Sequence, residues 1–193
     1  MSDHATTPLS QLPSVGKMTL DNADVLAIVR RHEAIQFKSF THETAWQVGS
    51  TIRTLFLENR GKAGTKPGDP GIVIHIVLWN GHTLFTSSLG SAPRVGPGAW
   101  VWIDGKVNTV KRMNKSTLRM CQEMAGSTRS AESQGLPFPE FVPHGGGFPI
   151  SVRGIDTGPI GCIAVTGMTA QEDHQIIIDA LIKCKDLLAN EDI

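Results

Sequence analysis

IVIHIVLWNGHTLFTSS, residues 72–88, is the stretch that decides the fold class. A β-branched run ends at Trp79, and Asn80-Gly81 predicts a type I′ turn that sends a second strand back antiparallel. Strand alternation puts His75 on the face of Val73, Val77 and Trp79, as a core histidine with its hydrogen bonds satisfied. A hairpin at this position argues for a mainly antiparallel sheet rather than a parallel one.

Upstream, LDNADVLAIVRRHEAI opens with a cap at Asp21 or Asn22 and carries Val25, Leu26, Ile28 and Val29 at helical spacing. AIQFKSF reads as a short strand, with Ile35 and Phe37 alternating against Gln36 and Lys38. THETAWQVGSTIRTLFLEN reads as a helix from Thr41, its stripe formed by Ala45, Val48, Gly49, Ile52, Leu55 and Phe56. RGKAGTKPGDPG is a loop. Downstream, WIDGKVNTVKRMNKSTLRMCQEMAG reads as one helix, over about 102–124. FPISVRG and IGCIAVTG form a second hairpin. TAQEDHQIIIDALIKCKDLL is the closing helix, with a capping box from Thr169 to Glu172.

Five strands, mostly in hairpins, imply an α+β chain with helices on the faces of its sheet. The glycines at 61, 64 and 68 lack the spacing of a dinucleotide-binding turn. The 193 residues suit one domain: a loose arm over 1–18, a single domain over 19–190 and an acidic tail over 191–193.

Lys plus Arg and Asp plus Glu both number 18. A formal net charge of zero gives no footprint for nucleic acid or an anionic membrane. Cys121, Cys162 and Cys184 are far apart in sequence, as expected of reduced thiols in the cytosol. The N-terminus has no secretory pattern, and no run approaches the ~20 apolar residues of a membrane span.

HGGGFPI, residues 144–150, is the first site candidate. Esterases use His-Gly-Gly-Gly in an oxyanion hole, but the Gly-x-Ser-x-Gly elbow that must accompany it is missing. The glycines fit either a backbone nest for an oxygen ligand or a tight lead-in to a strand. His144 can donate a hydrogen bond, bind a metal or titrate near neutrality. Asp173 sits where the helix dipole favours a carboxylate, and His174 where it disfavours a cation, so His174 is neutral in a pocket or solvated. His32 and His42 flank helix ends and are expected in solvent. No zinc-ligand spacing occurs. Lys106, Lys111, Arg112, Lys115 and Arg119 form either a solvated face or an anion-binding wall, and Arg153 either a bidentate anchor for the same pocket or a partner of Asp156 across the turn.

Taken together, HGGGFPISVRG, GPIGCIAVTG and EDHQIIIDAL resemble the heme-degrading-domain family, the GlcG/HbpS-like group. FTHETAWQVG and the W-I-x-x-K-x-N-T-V pattern from Trp102 to Val110 add to the likeness, which spans about residues 30–189. It is closest to that family's branch of small cytosolic proteins. The resemblance implies a profilin-like fold with a five-stranded antiparallel sheet, homodimers or larger rings, and heme as a possible cofactor. It implies no firm catalytic activity. The matching positions are His144, Gly145, Gly146, Gly147, Arg153, Lys106, Asn108, Asp173 and His174. On this view HGGGFPI is a ligand-binding turn. Two rival readings remain. One is a non-enzymatic adaptor of a chaperone or protein-targeting pathway that presents the acidic tail ANEDI to a protein partner. The other is a hydrolase or isomerase with His144 and His174 as acid and base.

Overall fold

The computed structural model describes residues 7–17, 23–60, 69–91 and 95–190. The expected cap at Asp21 or Asn22, most of the 61–70 loop and the 191–193 tail lie outside these residues. Helices α1 (Ala23–His32) and α2 (His42–Arg60) precede the hairpin of β1 (Ile72–Leu78) and β2 (Thr83–Leu89). Then come α3 (Pro97–Met113), α4 (Thr117–Ala125), β3 (Gly147–Ile150), β4 (Gly161–Thr166) and α5 (Ala170–Lys183).

The sheet is antiparallel throughout, in the order β2-β1-β4-β3, with four strands rather than the expected five. AIQFKSF supplies only single bridges, from Phe37 to Val152 and to Leu188. Ile35 and Phe37 are buried as the alternation requires, but the segment pairs with two different partners at one residue and never runs as a ladder. The hairpin turn also differs from type I′. Gly81 N–H donates to the Leu78 carbonyl at 2.9 Å, and Leu78 N–H to that of His82 at 3.0 Å. Gly81 has φ +85, whereas Asn80 is not among the positive-φ residues. One left-handed residue after a tight turn is the three-residue hairpin loop, which Asn-Gly also suits.

The two faces of the sheet bury different cores. Ile72, Ile74 and Ile76 of β1, with Ile163 and Val165 of β4, pack against α2 and α5. Val73, Val77, Cys162 and Ala164 face α3 through Ile103 and Val110. This alternation is the period-2 pattern of a strand covered on both sides. Gly49 lets α2 approach β2, because a Cβ there would meet the Phe85 ring at 2.4 Å. His75 faces the α3 side as expected and bonds Thr86 Oγ1 at 2.8 Å, but it stays partly exposed.

The expected single helix over 102–124 is two helices. α3 starts earlier, at Pro97, and ends at Asn114, whose left-handed φ of 52 turns the chain. Ser116 then caps α4, accepting from Arg119 N–H at 3.2 Å. Residues 7–17 also depart from a loose arm, since Leu9 and Val15 are buried and Val15 N–H donates to Gln175 Oε1 at 2.8 Å.

The capping box of α5 forms in both directions between Thr169 and Glu172. Thr169→Ala is expected to cost about 1 kcal/mol, the usual worth of such a cap. The midpoint of thermal unfolding should fall by about 2–4 °C.

Candidate functional site

The glycine turn is built by close approach. Gly146 has φ +109, and a Cβ on it would meet the Val165 carbonyl at 2.4 Å, Lys106 Nζ at 2.7 Å and Asp173 Cβ at 2.8 Å. A Cβ on Gly145 would meet the Ala170 carbonyl oxygen at 2.0 Å. The turn therefore lies flush against β4, α3 and the start of α5. Gly147 N–H is already used, donating to Thr117 Oγ1 at 2.8 Å, so it is not a free member of a ligand nest.

This packing leaves a cavity of about 370 Å³ lined by Trp102, Lys106, His144, Gly145, Met168 and Asp173 among others. Lys106 and Asp173 are each 2% exposed and form its buried end. Lys106 Nζ donates to Asp173 Oδ2 at 2.9 Å and to the Val165 carbonyl at 2.7 Å. Asp173 Oδ1 accepts from Met168 N–H at 3.0 Å. Burial raises the Asp173 carboxyl, against the Lys106 ammonium and the Met168 N–H, which favour its charge.

The mouth is aromatic. His144 is exposed, and the Trp102 ring lies edge-on to it at 5.6 Å. Phe138, 60% exposed, stands 5.8 Å from Trp102 with its ring tilted to it. Partial burial, then the Lys106 ammonium, lower the His144 pKa, so its imidazole is neutral at pH 7.

Of the nine expected site residues, His144, Gly145, Lys106 and Asp173 line this cavity, and Gly146 backs onto it. Lys106 corrects the solvated-face reading, because α3 turns it inward to a carboxylate rather than outward to water. Three residues are elsewhere. Asn108 Nδ2 donates to the Glu140 carbonyl at 2.9 Å, a tie between α3 and the following loop. Arg153 is not an anchor of the His144 cavity; it borders a separate one with Lys38 and Lys185, because β3 ends at Ile150 and carries it past the sheet.

His174 is neither solvated nor in the cavity. It is fully buried, with Nε2 3.1 Å from Nδ1 of His32 and its ring against Phe148. His32, expected in solvent, is only 1% exposed. Burial first, then Arg31, takes His32 down to about 3, and burial takes His174 well below its usual value. An acid–base pair of His144 and His174 therefore does not form, since consecutive positions on α5 send Asp173 to the cavity and His174 to the other side. His174 Nδ1 has no partner among the described residues, which favours the tautomer with His174 Nε2–H donating to His32. The alternative tautomer would strand an N–H donor, the costlier group to leave unpaired.

Trp102 was not among the expected site residues. Its signal was present: Trp102 and Lys106 are four apart on one helix and so share a face.

The family described as haem degrading protein HbpS-like matches residues 40–182. A UPF0303 protein of Acidobacterium capsulatum is 35% identical over 159 residues, covering 82% of this chain and 87% of its own. Another from Azotobacter vinelandii is 36% identical over 165 residues, covering 85% of this chain and 90% of its own. Among solved structures, the Ybr137w protein superposes with a TM-score of 0.68 at 25% identity, over 83% of this chain and 87% of that one. PduOC, solved as a heme complex, shares the fold with a TM-score of 0.56 at 17% identity, over 75% of this chain and 94% of that one. No helix among the described residues is long and apolar enough to cross a membrane. With the match running from α2 to the end of α5, and curated relatives aligned over most of their length, the chain belongs to the haem-degrading HbpS-like family.

Proposed function

We propose that the His144 cavity binds a planar, carboxylate-bearing ligand, and that heme is such a ligand. The observation that carries this is the His144 imidazole at the mouth, beside exposed Trp102 and Phe138 rings. The residues fit the group. A neutral imidazole is the form that ligates iron. The cavity is smaller than a porphyrin, and the aromatic surface beyond its mouth offers further apolar area. The heme complex of PduOC and the HbpS-like family point the same way. When bound, heme would supply iron redox chemistry, and the protein would supply the ligand and the surroundings. His144 would hold the iron, Trp102 would cover apolar surface, and Lys106 would meet a carboxylate.

Titration with hemin should give a saturable Soret shift. In His144→Ala the affinity should fall roughly tenfold or more, the ~1.4 kcal/mol of one good contact. An unsaturable shift, or one equal in both proteins, overturns heme binding here. Self-association belongs to the same reading, because Trp102 and the neighbouring Phe138 expose apolar surface at the mouth. A sedimentation run showing only monomer at micromolar concentration removes it.

A further inference from the structure

The next step rests on the reading of the His144 cavity as a binding site and names what its buried end selects. A lysine ammonium has three N–H donors. Lys106 directs two of them to the Val165 carbonyl at 2.7 Å and Asp173 Oδ2 at 2.9 Å. The third has no acceptor among the described residues, and Lys106 is part of the cavity wall. Each Asp173 oxygen accepts one bond, Oδ2 from Lys106 and Oδ1 from Met168 N–H at 3.0 Å.

The buried end therefore holds one cation and one anion, each 2% exposed, and is neutral as a unit. A ligand carboxylate reaching the third N–H of Lys106 would set two anions against one cation. Two carboxylates in a shared, poorly hydrated site cannot both keep their charge cheaply. The nearest relief is a proton on Asp173, which would also become a donor. We infer that the cavity takes its ligand's carboxylate at Lys106 and that Asp173 takes up one proton as the carboxylate binds.

The groups facing Asp173 are Lys106 from α3, the Val165 carbonyl from β4 beyond it, Met168 N–H, and Glu172 on its own helix. His144 lines the same cavity and is the other group able to accept a proton. Glu172 is held by the Thr169 cap, where Oε2 accepts at 2.9 Å from the hydroxyl and at 3.1 Å from the backbone N–H.

The test is calorimetric titration with 2-naphthoate, a planar carboxylate, in two buffers of different ionisation heat. Wild type should bind with net uptake of up to one proton, and affinity should rise as pH falls, by up to about tenfold per unit. His144→Ala, which removes part of the cavity lining, should bind more weakly but with the same uptake per ligand bound. Asp173→Asn should bind without it and at least as tightly as wild type at pH 7, and Lys106→Met should lose the carboxylate. If neither buried variant folds, proton uptake by wild type and its survival in His144→Ala decide the matter. Binding by wild type without proton exchange, or uptake per ligand bound that persists in Asp173→Asn or vanishes in His144→Ala, overturns the inference. If hemin binds and 2-naphthoate does not, the carboxylate subsite fails and the heme reading stands. If neither binds, both fail.

Discussion

Gly146→Ala should destabilise the protein by about 3 kcal/mol or more and lower its melting temperature by roughly 10 °C. Two costs add. At φ +109 a side chain strains the backbone, and the new methyl would press on the Val165 carbonyl, Lys106 Nζ and Asp173 Cβ together. The first of these is backbone and cannot step aside. Gly154 separates the two costs, because its φ is +84 but no atom lies within 4 Å of a Cβ there. Gly154→Ala should therefore lose only the strain, about 1 kcal/mol. Equal losses in the two variants, measured by urea unfolding, would mean that the cavity wall yields and that the turn is not packed as described.

Mild acid should have an effect of similar size through the buried histidines. His32 falls to about 3 in the folded protein from 6.5. Its contribution is complete above pH 6.5 and is lost as pH falls toward the folded value. At pH 5, about 1.5 units below the unfolded value, the loss from His32 alone is about 2 kcal/mol. His174, also lowered by burial and in contact with it, adds a loss of the same sign. Asp173 and Asp179, whose carboxyls burial raises, act in the opposite direction and recover part of it. Unfolding midpoints at pH 7.5 and pH 5 should differ strongly in wild type. They should differ much less in the double variant His32→Leu with His174→Leu. An unchanged acid response in that variant would place its source elsewhere.

These two sites also mark how far sequence reasoning reaches. The hairpin was legible because alternation and Asn-Gly are local signals, and the same holds for the Thr169 capping box. The fifth strand failed for a tertiary reason: alternation around Phe37 records burial, and a single bridge buries a side chain as well as a ladder does. The break between α3 and α4 was missed because Asn114-Lys115-Ser116 contains neither glycine nor proline. At the site, His144 and the glycines stood out as a motif. Lys106 looked like one cation of a basic helix, since its partner Asp173 lies 67 residues away and only the packing of α3 against α5 joins them. His32 and His174, 142 residues apart, were hidden for the same reason.

The order β2-β1-β4-β3 leaves two unlike rims. The β3 rim is four residues long, includes Pro149, which lacks an N–H, and runs on to Val152, which Phe37 bridges. The β2 rim runs seven residues, from Thr83 to Leu89, and among the described residues pairs only inward with β1. A sheet with one open side has a built-in stop to polymerisation. Two copies joined along β2 would present to a third only the short, proline-bearing β3 rims, which disfavours growth through the sheet beyond a closed pair.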